Sequence, residues 1–406
     1  MKKPLFILAV CLLLSLNLIA QNVAQWRGQH RDGIYNETGL ITSWPAEGPK
    51  LLWHYDHIGD GFATSSVVAD NRVFTAGAIL GKGHIFAFTP EGKLAWDVEY
   101  GPEWTESYPG TRSTPVVNEG KVYLMSGFGK IVCLSADKGN MLWSVDIMKD
   151  YDGRNIAWGI TENLLIDGDK LFCTAGGIRN NVIALNKNTG KLIWSSSGNG
   201  EKSAYCSPIV ITLPSRKILA TITEKSIIGL DAETGKLLWH HEQTNEWSVH
   251  ANAPLYSNGY LYCVSGYGRG GVMLKLSADG SKTEEVWKNP ALDSRMGGMV
   301  LLNGKIYGMG DNIKGLHCLD WKTGTESAFE KFNGRMGSII AAEGLLYTYD
   351  ESGEVMLISP TAKGFKKLSG FKVPFGNNQH WAHPVIVNGR LYIRHGNSLM
   401  VYDIRK

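Results

Sequence analysis

Four cationic or titratable side chains occupy one position of a pattern that recurs along this sequence. The position lies four residues before a recurrent proline, or before the residue that replaces that proline, in four successive repeats. Its occupants are His250, Arg295, Arg335 and His380. Arginine offers a planar fork of N–H donors that suits carboxylates, and histidine adds a charge that depends on pH. These residue types at this spacing therefore predict a site for an anion.

Aromatic side chains are concentrated in the segments that precede the same position in the other repeats. Those segments, with the residue after His380, supply Trp104, Tyr108, Arg112, Trp158, Tyr205, Trp247 and Trp381. Flat rings provide stacking surfaces for a ligand. We therefore add Arg112, Trp158, Tyr205 and Trp381 to the four residues above as the predicted ligand-binding set. The predicted partner is an acidic small molecule, a glycan or a protein.

A purely structural interpretation of these residues stays open. They could brace neighbouring repeats by donating to backbone carbonyls, with no ligand involved. Cations gathered in one place repel each other unless an anion accompanies them, which favours the binding interpretation. No catalytic residue can be assigned, because the sequence has no Ser-His-Asp or His-Glu-x-x-His arrangement and no Cys-x-x-Cys-His haem motif. No set of metal ligands is predicted either.

The element that must position these residues is a repeat of between forty and fifty residues. In its clearest copy, the strand Ile228–Leu230 ends, the chain turns at Thr234-Gly235, and a new strand runs to Trp239. Tryptophans recur at positions 53, 96, 143, 194, 239 and 287, with gaps of 43, 47, 51, 45 and 48 residues. A strand-rich repeat of this length is typical of a propeller blade, here with four strands.

The two ends of the chain predict how the ring of repeats closes. Lys50–Trp53 resembles the last strand of a repeat that lacks its first three strands, whereas His383–Lys406 begins a repeat that never reaches its tryptophan. Two further repeats, 297–329 and 337–368, have lost the tryptophan. The predicted fold is thus all-β, an eight-bladed β-propeller over residues 50–406 whose last blade is shared by both ends. Residues 21–49 are predicted to form a lead-in segment packed on the ring.

The beginning of the chain predicts that the protein is exported. Lys2 and Lys3 precede an apolar run that ends near Ala20, a pattern that predicts a signal peptide over residues 1–20 with cleavage after Ala20. No later run approaches the ~20 apolar residues of a membrane span. The formal charge of +3 includes both of these lysines, so nothing indicates nucleic-acid binding. We expect a periplasmic or secreted monomer.

Five cysteines follow the predicted signal peptide. Cys173 and Cys263 occupy equivalent positions of two repeats, as do Cys133 and Cys318. Equivalent positions in non-adjacent blades lie farther apart than the ~7 Å between Cα atoms that a disulfide allows. The sequence therefore predicts buried, free thiols.

The Gly-x-x-x-Trp endings of these four-stranded repeats resemble those of the PQQ-like, or quinoprotein-type, eight-bladed propeller family, over residues 50–406. That family includes PQQ-dependent alcohol dehydrogenases and scaffolds of outer-membrane assembly. The resemblance implies PQQ with calcium as a cofactor. However, the sequence lacks the adjacent cysteine pair of many such enzymes, and the aligned position holds no Asp or Glu. Three functions stay open: a binding module, a divergent PQQ-dependent alcohol or sugar dehydrogenase, and an assembly scaffold.

Overall fold

A computed structural model describes residues 23–406, and the predicted signal peptide lies outside these residues. Eight sheets form the ring, each built on four antiparallel strands. The four strands are consecutive in the chain except in the last sheet, and one sheet also takes a fifth, parallel strand from the lead-in segment. We call them blades 1 to 8. This arrangement confirms the predicted all-β, eight-bladed propeller. The one helix of the described chain is α1, a single turn over Ile147–Asp150, so no described helix could cross a membrane.

The strands of the first half of the ring follow the chain from its beginning. Before blade 1 lie β1 (Ile34–Tyr35) and β2 (Lys50–Tyr55). Blade 1 contains β3 (Val67–Ala69), β4 (Arg72–Ile79), β5 (Lys82–Phe88) and β6 (Leu94–Pro102), and blade 2 contains β7 (Val116–Asn118), β8 (Lys121–Met125), β9 (Lys130–Ser135) and β10 (Met141–Asp146). Blade 3 contains β11 (Leu165–Asp167), β12 (Lys170–Cys173), β13 (Val182–Asn186) and β14 (Leu192–Ser196), and blade 4 contains β15 (Ile209–Thr212), β16 (Lys217–Ile222), β17 (Ser226–Asp231) and β18 (Leu237–Glu242).

The second half of the ring repeats this order. Blade 5 contains β19 (Leu255–Ser257), β20 (Tyr260–Ser265), β21 (Gly270–Leu276) and β22 (Thr283–Asn289), and blade 6 contains β23 (Met299–Leu302), β24 (Lys305–Met309), β25 (Leu316–Asp320) and β26 (Glu326–Glu330). Blade 7 contains β27 (Gly337–Ala342), β28 (Leu345–Asp350), β29 (Glu354–Thr361) and β30 (Gly364–Lys372), and blade 8 contains β31 (Val385–Val387), β32 (Arg390–His395) and β33 (Ser398–Asp403). The fourth strand of blade 8 is β2, which pairs antiparallel with β33 so that Lys50 lies opposite Asp403. The predicted sharing of one blade by both chain ends is confirmed.

The tryptophans that recur in the sequence join consecutive blades. The indole Nε1 of all six repeat tryptophans donates to a backbone carbonyl near the third turn of the following blade, at 3.0 to 3.3 Å. In blade 4 that turn is held by the Asp231 carboxylate, which accepts from the backbone N–H groups of Glu233 and Thr234. Gly235 then adopts φ +74°, and a Cβ at this position would lie 2.5 Å from the Trp194 ring. The turn therefore needs glycine both for its backbone angle and for the approach of the indole.

The lead-in segment takes the place of one missing tryptophan. In blades 6 and 7 the strand position of the tryptophan holds Ala328 and Ser369. Ser369 Oγ accepts a hydrogen bond from the backbone N–H of Trp44 at 2.9 Å. The Trp44 ring packs against Tyr347 and Phe371, with centroids 6.1 and 6.0 Å away. The lead-in thus supplies an aromatic side chain to the junction of blades 7 and 8.

A closed belt of hydrogen bonds links the segments that precede the first strands around the channel. Each blade contributes one or two polar groups just before or at the beginning of its first strand. The links run from Ser65 to Thr114, Thr114 to Asn163, Asn163 to Ser207, Cys206 to Asn252, Asn252 to Gly298, Gly297 to Ile339, Ser338 to Ala382, and His383 back to Ser65. The belt therefore includes all eight blades and holds in place the segments that precede their first strands.

Two buried arginines of the lead-in fill part of the channel. Strand β1 pairs with the far end of β27, with Ile34 opposite Ala341. Arg27 donates to the carbonyls of Met299 and Ile339 and contacts His383 Nδ1. Arg31 donates to the carbonyls of Asn163, Leu164 and Pro208. Both side chains are 1% exposed, and burial lowers the pKa of Arg27 to about 10 and that of Arg31 to about 9. The lead-in therefore reaches the belt from the end of the channel opposite to the crossing loops.

The described cysteines match the expectation. Cys133, Cys173, Cys206, Cys263 and Cys318 are all free and buried. Each lies in an apolar cluster of the blades or in the segment entering it. The prediction of free, buried thiols is confirmed for these five residues.

Replacing Trp194 with alanine should strongly destabilise the ring. The substitution removes a side chain that is 8% exposed and leaves the Ala232 carbonyl without its donor, a change that costs about 3–5 kcal/mol. The neighbouring Ile193 is exposed, so Ile193→Ala should cost less than about 1 kcal/mol. Urea unfolding of both variants measures the difference. Equal free energies of unfolding would show that the indole does not join the blades.

Candidate functional site

The mouth of the channel contains a cavity of about 160 Å³ on the face of the crossing loops. Residues that lead into seven of the eight blades line it. Five of the eight predicted site residues are brought together there, namely Arg112, Trp158, Tyr205, Arg295 and Trp381. Each of these residues lies one to five positions before the nearest belt residue, where the chain crosses from one blade to the next.

Aromatic rings form most of the cavity wall. Phe62 and Trp381 meet edge to face at 5.0 Å between centroids, and Tyr108 lies 5.1 Å from Trp381. Trp158 and Tyr205 form a second pair at 6.2 Å. The Tyr205 hydroxyl accepts a hydrogen bond from the Trp158 backbone N–H, and burial raises the pKa of Tyr205 to about 12. Tyr205 is therefore neutral, with its own proton free to donate to a ligand.

Arg112 is a buried cation with unused donors. Its guanidinium lies over the rings of Phe62 and Trp104, at 5.1 and 5.4 Å from their centroids. Nη2 donates to the carbonyls of Ser107 and Tyr108, whereas Nε has no partner among the described residues. Burial lowers the pKa of Arg112 to about 10, although the nearby Glu103 opposes this shift. The side chain remains charged at neutral pH and can donate further hydrogen bonds.

Arg295 is held by two neighbours. Its Nε lies 2.8 Å from Asp311 Oδ2, and its guanidinium lies 5.2 Å from the centroid of the Tyr267 ring. Burial disfavours its charge, but the hydrogen bond to Tyr267 and the charge of Asp311 outweigh that effect and raise the pKa of Arg295. Arg112 leads into blade 2 and Arg295 into blade 6. In an eight-bladed ring these positions face each other, so the two guanidiniums lie on opposite sides of the mouth.

His250 does not line the cavity. Val249 and Ala251 do, and the side chain between them points the other way, since successive residues of an extended segment alternate. His250 Nδ1 lies 2.6 Å from Ser265 Oγ, and its Nε2 lies 3.3 Å from the Glu224 carbonyl. Burial lowers the pKa of His250 to about 4. This histidine is a neutral contact inside the blades at physiological pH.

His380 and Arg335 also lie outside the cavity. His380 borders a small adjoining recess together with Arg295 and Trp381. Its Nδ1 lies 2.6 Å from the Tyr349 hydroxyl, and its ring stacks on His395 at 3.6 Å between centroids. Burial, together with the nearby His395, lowers the pKa of His380 to about 4. Arg335 is exposed. Neither of the two predicted site histidines lines the cavity and the pKa of each is lowered, so neither provides the pH-dependent charge expected at this position.

Sequence reasoning left three aromatic residues out of the predicted set. Phe62 and Tyr108 complete one wall, and Tyr267 lies beside Arg295. Tyr108 is in a crossing loop and Tyr267 is in a glycine-rich turn, so their positions in the repeat could have indicated that they belong to the cavity wall. Asp311, the partner of Arg295, lies in the connection between β24 and β25 of blade 6, and no spacing in the sequence indicates that it pairs with Arg295.

Comparison with known proteins identifies the family. A model of PQQ-like repeats, described as outer membrane protein assembly factor BamB, matches residues 81–328, more than half of the chain. The chain belongs to this PQQ-like repeat family.

The relatives of this PQQ-like propeller include enzymes. A quinoprotein ethanol dehydrogenase of Pseudomonas putida is 26% identical over 166 residues, which are 40% of this chain and 25% of that enzyme. A quinoprotein ethanol dehydrogenase of Pseudomonas aeruginosa is 30% identical over 122 residues, which are 30% of this chain and 18% of that enzyme. The matched regions thus span a quarter or less of these curated relatives.

Solved structures share the fold at low identity. BamB from Moraxella catarrhalis superposes with a TM-score of 0.60 at 15% identity, covering 84% of this chain and 94% of that one. A europium-containing methanol dehydrogenase gives a TM-score of 0.68 at 14% identity, covering 92% of this chain and 90% of that one. At these identities the similarity concerns the fold alone.

The residues at the mouth of this PQQ-like propeller do not fit a calcium-bound quinone. Calcium takes six to eight oxygen ligands, most of them from carboxylates, carbonyls and water. The described cavity lining includes no carboxylate, and Asp311, which borders the adjoining recess, is paired with Arg295. Nowhere in residues 23–406 are three or more His, Cys, Asp or Glu side chains grouped to hold a metal ion.

The buried His250 should make the fold less stable in acid. Its folded-state pKa of about 4 lies below the unfolded value of 6.5, so the unfolded chain binds the proton first and unfolding is favoured as pH falls through that range. For a residue 0% exposed, the loss is on the order of 3 kcal/mol. His250→Gln should reduce the fall in the free energy of unfolding between pH 7 and 4.5, as measured by urea unfolding. His383 is also buried with a lowered pKa, so part of the fall should remain.

The exposed His30 provides the matched control. His30→Gln should leave the pH dependence unchanged. If the free energy of unfolding of His250→Gln falls with pH as steeply as that of the unmodified protein, His250 takes up its proton in the folded state as readily as in the unfolded chain.

Proposed function

We propose that this PQQ-like propeller is an exported binding protein that takes a small acidic ligand with a flat ring in the cavity at the channel mouth. The observation that carries the proposal is Arg112, a buried guanidinium in an aromatic wall with no salt-bridge partner and with an unpartnered Nε among the described residues. Burial lowers the pKa of Arg112 and the charge of Glu103 opposes that shift, but the two side chains form no salt bridge among the described residues. Burying a guanidinium with an unused donor is costly, and a bound anion would accept from that donor.

The size of the cavity limits the part of the ligand that it can hold. An apolar cavity of about 150 Å³ accommodates a benzene molecule, and the cavity here has about 160 Å³. Sites for drug-sized ligands are larger, at about 300–1,000 Å³. The site therefore fits one six-membered ring, either as a whole ligand or as one end of a longer molecule.

The electrostatics of the mouth favour an anion on that ring. Arg112 and Arg295 face each other across the cavity, and the neutral Tyr205 hydroxyl adds a donor. A ring stacked between the aromatic walls would place a carboxylate within reach of these donors. A sugar acid or an inserted protein side chain would use the same surfaces and is an alternative occupant. We further propose that the protein is periplasmic or secreted and acts as a monomer.

A divergent PQQ-dependent dehydrogenase is the second candidate, because the curated relatives are named quinoprotein ethanol dehydrogenases. The assembly role in the family description is a third. Titration with PQQ and calcium, followed by absorbance and by dye-linked oxidation of ethanol, tests the dehydrogenase. We expect no saturable absorbance change, because the described mouth residues offer no carboxylate for calcium. Saturable binding with ethanol oxidation would replace the binding proposal.

Benzoate and benzamide provide a matched pair of probes for the proposed site. They have the same shape, but only benzoate carries a charge. We expect benzoate to bind at least about tenfold more tightly in isothermal titration, because hydrogen bonds to a charged group contribute roughly 1.5–3 kcal/mol. Arg295→Gln should weaken benzoate binding about tenfold to a hundredfold. Since this change leaves Asp311 unpaired, the Arg295→Gln/Asp311→Asn double variant should show the same loss if the guanidinium itself binds the ligand.

Arg335→Gln is the control for these variants, because Arg335 is exposed and outside the cavity. It should bind benzoate as the unmodified protein does. Ala251→Met, which narrows the cavity without touching a charge, should prevent binding while the protein stays folded. Equal affinity for the two probes, or equal losses for Arg295→Gln and Arg335→Gln, would contradict the proposal.

A further inference from the structure

A second cavity adjoins the mouth on the same face. It has a volume of about 230 Å³ and lies between the loops that lead into blades 3, 4 and 5. Trp158 and Tyr205 line both cavities, so the two are separated by a wall one aromatic side chain thick. A ligand seated in the first cavity can therefore continue over this wall into the second.

The second cavity has the opposite charge character. Its lining contains two carboxylates, Glu224 and Glu246, and one cation, Lys202, whereas the first cavity is lined by two arginines and no carboxylate among the described residues. The Glu224 carboxylate has no hydrogen bond or ion pair in the described chain, and Glu246 accepts from Trp247 Nε1. The lining of this cavity is thus negative on balance.

Two further features of this cavity point to a ligand. Trp247 is 52% exposed and lies 5.9 Å from Trp158 between ring centroids, so two indole faces border the same space. Ser203 is 2% exposed, and its Oγ has no hydrogen-bond partner among the described residues. Indole faces next to carboxylates attract ammonium groups, and a buried hydroxyl without a partner is costly unless a ligand or water satisfies it.

We propose that the two cavities form one bipartite site for a zwitterion, whose acidic ring lies in the first cavity and whose ammonium group lies in the second. The juxtaposition of a cationic and an anionic cavity across the Trp158–Tyr205 wall carries this inference. It rests on the proposed function and names the ligand class more closely. Glu224, Glu246 and the faces of Trp158 and Trp247 would bind the ammonium group, while Lys202 offsets part of their charge and limits the site to a single cation.

Five probes test this proposal by isothermal titration. They are benzoate, benzylamine, 4-(aminomethyl)benzoate with its homologue one methylene longer, and 4-ethylbenzoate as the uncharged match for the aminomethyl group. We expect one of the two zwitterions to bind at least about tenfold more tightly than benzoate and 4-ethylbenzoate. Glu224→Gln should remove this advantage and leave the affinity for benzoate unchanged. Glu246→Gln should reduce it, and Glu106→Gln, an exposed carboxylate on the same face, should not.

The outcomes of these titrations distinguish the bipartite site from the proposed anion site. If benzoate binds but neither zwitterion binds more tightly, or if the advantage survives both Glu224→Gln and Glu246→Gln, the bipartite site is overturned and the anion site stands. If benzoate fails to bind while benzylamine binds in a way that Glu224→Gln abolishes, the second cavity is a cation site and the proposed function fails. Failure of all probes to bind overturns both.

Discussion

The docking of each outer-strand tryptophan on the next blade is the contact on which the rest of this structure depends. A blade of four short strands cannot cover its own apolar faces, so each blade is stable only against its neighbours. The indole covers apolar surface, and its N–H satisfies a carbonyl that would otherwise be buried without a donor. Where the chain lacks the tryptophan in blade 7, the lead-in places Trp44 beside Ser369 instead. The junction is filled from another part of the sequence because the ring has to close.

Closure also makes the mouth rigid. The belt of hydrogen bonds joins the segments entering all eight blades, and the lead-in arginines occupy carbonyls along the same channel. Most residues that line the cavity lie within five positions of this belt in the chain, so their backbone cannot move without breaking buried hydrogen bonds. A site built in this way would be organised before a ligand arrives, which would reduce the entropic cost of binding.

Repeat spacing was enough to predict the fold, because glycine turns and tryptophans recur at intervals that only stacked four-stranded units explain. It also placed Arg112, Trp158, Tyr205, Arg295 and Trp381 at one mouth, since equivalent positions of a closed ring share a face. Repeat spacing gave the wrong orientation for His250. Successive side chains of an extended segment point to opposite sides, and the proline of blade 5 does not lie at the same distance from the belt as the prolines of the other blades. Repeat spacing could not reveal the pairing of Asp311 with Arg295, since the two residues are 16 positions apart and meet only when the β24–β25 connection of blade 6 folds over the segment that leads into that blade.

The same ring supports different chemistry in its relatives because the ring and the site draw on different residues. Superposition at 14% identity with a TM-score of 0.68 shows that apolar strands, turns and docking contacts suffice for the fold. The mouth is built from loop residues that the fold does not constrain. In this chain those loops bring together guanidiniums and aromatic rings where an enzyme that uses calcium would need oxygen ligands. Arg112 is buried near Glu103 but forms no salt bridge among the described residues, and its Nε has no partner there. Its guanidinium packs over the Phe62 and Trp104 rings, yet burying its charge costs stability. This unused donor in the cavity wall is the feature on which the proposed anion site rests.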